Sequence, residues 1–230
     1  MMKFKILSKI LSFSEIPAWS EKSGKTVLLL RHSIRESIAA QAPEASASVH
    51  LTPEGIALAY RCGQLLAPLK SAAFKASPTT RTRETAEQLQ LGGNLGNSPI
   101  EECKEISDII LFQDIETPKR LLLSNKVPEA LHQYYSTGEA EGFYPLSQIA
   151  ERIFRYLTET DFAASCNILL THDLVIVSLL KGLNVYPFTL DDWCGFIQGA
   201  ALFQDPEDGV WTVAYTVPDT DHREIARLFV

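Results

Sequence analysis

Two short apolar runs, each ending at a histidine, constrain this chain more than any other feature of its sequence. Thr26-Val27-Leu28-Leu29-Leu30 leads into Arg31-His32, and Asn167-Ile168-Leu169-Leu170-Thr171 leads into His172-Asp173. Runs dominated by apolar and β-branched residues, without polar alternation, suit strands covered on both faces, as in a parallel sheet flanked by helices. The segments between them fit such a sheet. Thr52-Pro53-Glu54-Gly55 offers a helix N-cap with proline at the first helical position, and Ile56, Ala59, Leu65, Leu66 and Leu69 lie near one face of the helix that follows. Ala72 to Ala76 reads as a strand ending at Ser77-Pro78; Thr80 to Leu89 has helical composition, and Gly92-Gly93-Asn94 breaks the chain. Ile100 to Ile106 is expected as an edge strand. Residues 108–162 read as predominantly helical with Pro118, Pro128 and Pro145 as punctuation, and Leu174 to Leu183 reads as an apolar helix. Ala200 to Phe203 and Trp211 to Tyr215, separated by Asp205-Pro206-Glu207-Asp208-Gly209, form a hairpin. The reading is an α/β chain with an N-terminal arm, residues 1–25, followed by one domain, residues 26–230.

Charge narrows the partners. With 21 basic and 28 acidic side chains the net charge is −7. No basic stripe is present, so a nucleic-acid partner is not expected; any anion must be held by a local basic pocket. Residues 1–25 carry five Lys and two Glu, yet Lys9 interrupts the apolar stretch of Met1 to Phe13, which is too short for a secretory signal. A surface arm or short amphipathic helix is expected there. No run approaches the roughly 20 apolar residues of a membrane span, so no membrane partner is expected. Cys62, Cys103, Cys166 and Cys194 are far apart, with no metal-ligand spacing. Buried, reduced thiols and a cytoplasmic location are the expectation, without cofactor or metal.

The unusual polar residues cluster where the strands stop: Arg31-His32, Ser77-Pro78-Thr79-Thr80-Arg81 and His172-Asp173. Open α/β sheets bind ligands at the crevice outside the carboxyl ends of their strands, and helices starting after Pro78 and Asp173 would direct free N–H groups toward an anion there. Singly, each residue has an ordinary explanation. Arg81 can pair with Glu84 one helical turn on, and Asp173 can serve as a dipole-stabilising acid. Their joint placement points to one shared mouth holding two imidazoles and two guanidinium groups.

Leu30-Arg31-His32-Ser33, Leu51-Thr52-Pro53-Glu54-Gly55, Ser77-Pro78-Thr79-Thr80-Arg81-Thr82-Arg83-Glu84-Thr85-Ala86 and Thr171-His172-Asp173 resemble, in order, the signature segments of the histidine phosphatase superfamily of phosphoglycerate mutase-like proteins. The resemblance runs from about residue 26 to residue 180. It implies a three-layer αβα sandwich with a mostly parallel central sheet and a helical insertion over the active site. It also implies a metal-independent phosphatase acting on a small phosphorylated substrate through a phosphohistidine. By resemblance His32 is the nucleophile, Arg31 and Arg81 bind phosphoryl oxygens, and His172 completes the pocket. For the proton donor it offers two patterns. In the acid phosphatase branch this is the Asp of a His-Asp pair, here Asp173, with Arg35 as a further phosphate ligand; in the mutase branch it is a Glu after the next strand, here Glu102 or Glu105. Asp173 is preferred, which implies an acidic to neutral optimum.

The chemistry agrees with these assignments. A neutral imidazole can attack phosphorus in line, so one hard displacement becomes two easier ones. Neighbouring Arg31 and Arg81 disfavour a further positive charge on His32, and their planar forks match phosphate oxygens. Ser33 stands where the family usually has Gly, so the turn there must suit an ordinary residue. Alternatives are a mutase that returns the phosphoryl group to a second hydroxyl, a non-catalytic phosphate-binding protein, and a metal hydrolase using His32, His172 and Asp173. Tyr134, Tyr135, Phe143, Tyr144 and Trp193 are candidates for an aromatic wall over the mouth or for ordinary core. His50 and His132 have no identifiable partner, His222 sits among Asp219, Asp221, Arg223 and Glu224 in a polar C-terminal segment expected to be solvated, and Lys70 and Lys75 are expected at the surface.

Overall fold

The computed structural model describes residues 3–37, 43–162 and 164–219, the side chains of residues 43–45 excepted. In chain order the elements are β1 (Phe4–Ile6), β2 (Leu11–Ser12), α1 (Ile16–Glu21), β3 (Thr26–Arg31), α2 (Pro53–Leu66), β4 (Ala73–Ala76), α3 (Thr80–Gly93) and β5 (Glu101–Glu102). There follow α4 (Glu116–Leu123), α5 (Val127–Thr137), α6 (Leu146–Glu159), β6 (Cys166–Thr171), α7 (Asp173–Gly182), β7 (Gly199–Gln204) and β8 (Trp211–Val217).

The strands form one sheet in the order β1-β8-β7-β3-β6-β4-β5, with β2 also on β8. It is mostly parallel: β7 alone runs against its neighbours, β3 and β8, while the pairs β3/β6, β4/β6 and β4/β5 are parallel. The apolar run of β3 is divided by the pleat. Val27 and Leu29 join Leu169, Leu202 and the side chains of α5, α6 and α7 on one face. Leu28 and Leu30 join Ile168, Leu170 and the side chains of α2 and α3 on the other. Burying both faces gives three layers, and each fully buried Leu contributes about 1.5–3 kcal/mol.

Local rules explain where the helices start. Thr52 caps α2, its side chain accepting from the Gly55 N–H at 3.1 Å, with Pro53 in the first turn. Helices α4 to α6 occupy the region read as helical, with Pro128 in the first turn of α5 and Pro145 at the N-cap of α6. The break expected at Gly92-Gly93-Asn94 falls on its last residue. Helix α3 runs through both glycines and ends at Asn94 in the left-handed conformation. A Cβ at Gly92 would lie 1.9 Å from the Tyr60 carbonyl oxygen of α2, so this glycine permits close helix packing.

Two expectations need correction. The stretch read as a surface arm or short amphipathic helix supplies β1 and β2, both pairing parallel with β8. Of its lysines Lys5 lies in β1, an edge strand, and is exposed, as charge on an edge is tolerated. The expected edge strand from Ile100 to Ile106 shrinks to Glu101–Glu102, because a single 3-10 turn, Lys104–Ile106, takes the chain off the sheet. The four cysteines are buried and unpaired. Among the described residues, no helix is long and apolar enough to cross a membrane.

Candidate active site

The carboxyl ends of β3, β4 and β6 lie side by side, and the residues that follow them meet. Arg31 pairs with Thr171 across β3 and β6, and one residue on the His32 N–H donates to the Thr171 carbonyl at 3.0 Å. Both histidines therefore leave the sheet at the same level. Their rings lie edge to face, with centroids 5.3 Å apart, and both are buried.

The tautomers follow from their partners. His32 Nδ1 lies 2.7 Å from the Ser33 carbonyl oxygen, an acceptor, so Nδ1 carries the proton and Nε2 keeps a lone pair. His172 Nδ1 accepts from Arg81 Nη2 at 3.4 Å, so its Nε2–H donates to Ser77 Oγ at 3.1 Å. Thr82 Oγ1 completes the chain, lying 3.3 Å from Ser77 Oγ and donating to backbone carbonyls. Burial is the main cause that holds His32 neutral, down to about 2, with His172, Arg81 and Arg31 adding to it. Desolvation thus outweighs the arginines to which the sequence points. Burial followed by Arg81, Arg31 and Arg35 likewise pushes His172 down to about 3.

The two arginines are held by backbone and carboxylate. Arg31 donates to the Cys194 carbonyl at 2.6 Å and ion-pairs with Asp173 at 3.0 Å, its guanidinium 4.5 Å above the Phe196 ring. Arg81 donates to the Ser46 carbonyl at 2.6 Å. Nε of Arg31 and Nε of Arg81 are buried without a partner. Unsatisfied buried donors are costly, which marks a place kept for an acceptor. Arg35 is half-buried at the rim, donating to the Glu36 carbonyl at 2.8 Å.

Asp173 opens α7, and three donors reach its carboxylate. Leu174 N–H meets Oδ1 at 3.0 Å, while Arg31 Nη2 and Trp193 Nε1 each meet Oδ2 at 3.0 Å. Glu102 and Glu105 are exposed, and Glu105 accepts from the Cys103 thiol. A further acid, not among those expected, interacts electrostatically with Asp173, Arg81 and Arg31. Thr171 Oγ1 donates to the Ile106 carbonyl, pinning the chain after β5 to the end of β6, and two residues on is Asp108. Its Oδ1 is buried without a partner. Burial, reinforced by Asp173, pushes Asp108 up to about 7 against the pull of Arg81 and Arg31. Nothing in the sequence announces it, since its placement depends on that one tertiary hydrogen bond.

Ser33 fits where glycine was expected. Among the described residues, positive φ at non-glycine positions occurs at Lys70, Asn94, Asn125, Asn184 and Ile197, and Ser33 is not one of them. Its hydroxyl donates to the Gly55 carbonyl at 2.7 Å, and its N–H donates to Thr85 Oγ1 at 3.0 Å. Of the candidate aromatic wall, Tyr134, Tyr135 and Phe143 are core, whereas Trp193 reaches the site through Asp173. Phe196, beside Arg31 and 5.8 Å from the His32 ring, carries no sequence signal. Glu84 pairs with His50 at 2.6 Å and accepts from the Leu51 N–H, not from Arg81. Lys75 pairs with Glu101. His222 lies outside the described residues. Among the described residues, no three His, Cys, Asp or Glu side chains gather as a metal set.

The model of the histidine phosphatase superfamily, branch 1, matches residues 27–200. The chain belongs to that superfamily. No curated protein matches it in sequence. Solved structures similar to it include Bacillus stearothermophilus YhfR, 19% identical with a TM-score of 0.58, covering 86% of this chain and 98% of that one. A phosphoglycerate mutase from Bacillus anthracis is 16% identical, with a TM-score of 0.53 and coverage of 90% and 97%. A mycobacterial glucosyl-3-phosphoglycerate phosphatase is 16% identical, with a TM-score of 0.51 and coverage of 84% and 98%. These superfamily neighbours share the fold, the mostly parallel sheet with helices on both faces.

Proposed function

We propose that this member of the superfamily is a phosphatase that hydrolyses small phosphomonoesters through a phosphohistidine on His32, without a metal. The observation that carries the reading is the state of His32: buried, neutral, with Nδ1–H on the Ser33 carbonyl and Nε2 free. In the first step Nε2 attacks phosphorus and the ester oxygen leaves; in the second, water displaces the imidazole and releases phosphate. The protonated Nδ1 lets the ring share the positive charge of N-phosphorylation with a carbonyl already in place.

Arg31 and Arg81 bind the phosphoryl oxygens, with the unpartnered Nε groups as additional donors, and the His172 ring lines the same hollow. At an effective dielectric near 20, each charge pair at about 4 Å is worth roughly 4 kcal/mol before desolvation. These donors act most strongly as charge spreads over the equatorial oxygens in the transition state. Arg35, at the rim, contributes long-range attraction for the dianion.

Hydrolysis of 4-nitrophenyl phosphate by the wild type and by His32→Ala tests the reading. Phosphate release by the wild type, abolished by the substitution, together with an acid-labile phosphoryl label trapped on His32, is the expected result. Equal rates for the two proteins would rule the mechanism out, and binding of phosphate without turnover would make the chain a phosphate-ligand module.

A further inference from the structure

We propose that Asp108, and not Asp173, is the group that hands a proton to the leaving oxygen of the ester. The assignment rests on the phosphatase reading above and departs from both acids that the family's patterns suggested. Both oxygens of Asp173 are engaged by the Leu174 N–H, Arg31 and Trp193. Accepting from three donors, one of them a guanidinium, favours the carboxylate, and a proton on the one acceptor site left would weaken all three bonds. Asp173 is a positioning residue that aims the Arg31 guanidinium.

Asp108 has the opposite surroundings. Its Oδ1 is out of solvent with no hydrogen-bond partner, so as a carboxylate it would leave a buried charged oxygen unsatisfied. As a carboxylic acid it is neutral and holds a proton for a partner that arrives with the substrate. The charged and titratable groups facing it are Asp173, Arg81, Arg31 and Tyr135. Desolvation and the Asp173 charge favour the acid form, and the two arginines keep its conjugate base attainable. Its backbone is fixed, since Thr171, the residue before His172, holds Ile106.

The steps balance. As His32 Nε2 forms its bond to phosphorus, the ester P–O bond breaks and the Asp108 proton passes to the departing oxygen, giving the free alcohol. Asp108, now a carboxylate, takes a proton from the attacking water as the N–P bond breaks. Inorganic phosphate leaves and Asp108 is protonated again.

Leaving-group dependence tests the assignment. 4-Nitrophenolate departs without help, while the alkoxide of glycerol 2-phosphate needs a proton. Asp108→Asn is expected to lower kcat/KM, which reads the first step without the shared hydrolysis of the phosphohistidine, about 100-fold or more for glycerol 2-phosphate and by less than about tenfold for 4-nitrophenyl phosphate. Asp173→Asn is expected to raise KM for both esters alike. The wild type needs no variant for its own check: kcat/KM for the alkyl ester is expected to fall above about pH 7 relative to that for the aryl ester. An Asp108→Asn enzyme whose kcat/KM falls equally for both esters or for neither, or an Asp173→Asn enzyme showing the leaving-group selectivity, overturns the assignment while leaving the phosphatase reading intact. A wild type that hydrolyses neither ester overturns the reading and the assignment with it.

Discussion

Two neutral histidines buried beside arginines make the fold itself sensitive to acid. His32 and His172 are held down at about 2 and about 3, whereas in the unfolded chain a histidine titrates near 6.5. Below that value the unfolded state binds protons that the native state refuses, so stability is fully present above about pH 6.5 and is lost as the pH falls toward the native values. Between about pH 7.5 and pH 4.5 each histidine therefore costs about 2 to 3 kcal/mol, and the pair about 5, a large share of the roughly 5–15 kcal/mol that a domain has. Asp108 acts in the other direction, because its native carboxyl is raised and it favours the folded state as the pH falls through about 7. Comparison with variants removes that common contribution. Urea unfolding of wild type, His32→Asn and His172→Asn at the two pH values is the assay. Each variant is expected to lose about 2 to 3 kcal/mol less than the wild type on acidification. Equal losses in all three proteins would refute the reasoning.

Arg81→Lys keeps the charge but loses the fork; with one charge-assisted hydrogen bond gone, kcat/KM for an aryl phosphate is expected to fall about 10- to 100-fold. Gly55→Ala places a Cβ 2.0 Å from the Ile34 carbonyl oxygen, and thermal unfolding is expected to show a loss of about 1–3 kcal/mol or more. An unchanged Tm would contradict the packing of α2 against that loop. Exhaustive dialysis against a chelator is expected to leave hydrolysis unaltered, and its loss with recovery on adding a divalent cation would bring a metal into the mechanism.

Much of the frame is legible in the sequence because its signals are local. The runs of β3 and β6 need no polar alternation, since both faces are covered, and Thr52 and Pro53 mark the start of α2 through contacts within one turn. The histidines and arginines are found because they follow directly on those runs. What escapes depends on distant partners. β1 and β2 have three and two residues and exist because β8 offers an edge. The chain after β5 turns away where the apolar pattern of Ile100 to Ile106 suggested a longer strand. Asp108 looks like any other acid until the Thr171 hydroxyl draws its segment over the end of β6, and Phe196 reaches the site from the long connection between α7 and β7.

The spacing of the two imidazoles belongs to the ladder between β3 and β6 and owes nothing to the loops above it. α5 and α6 cover Val27 and Leu29 on one face of the sheet, and the segment between β5 and α4 carries Asp108, so changes of length that leave the two rings where they are fall to α4, whose Leu122 and Leu123 are exposed. Insertion and deletion at that outer helix are therefore tolerated where the same change in α5 or α6 would bare a face of the sheet.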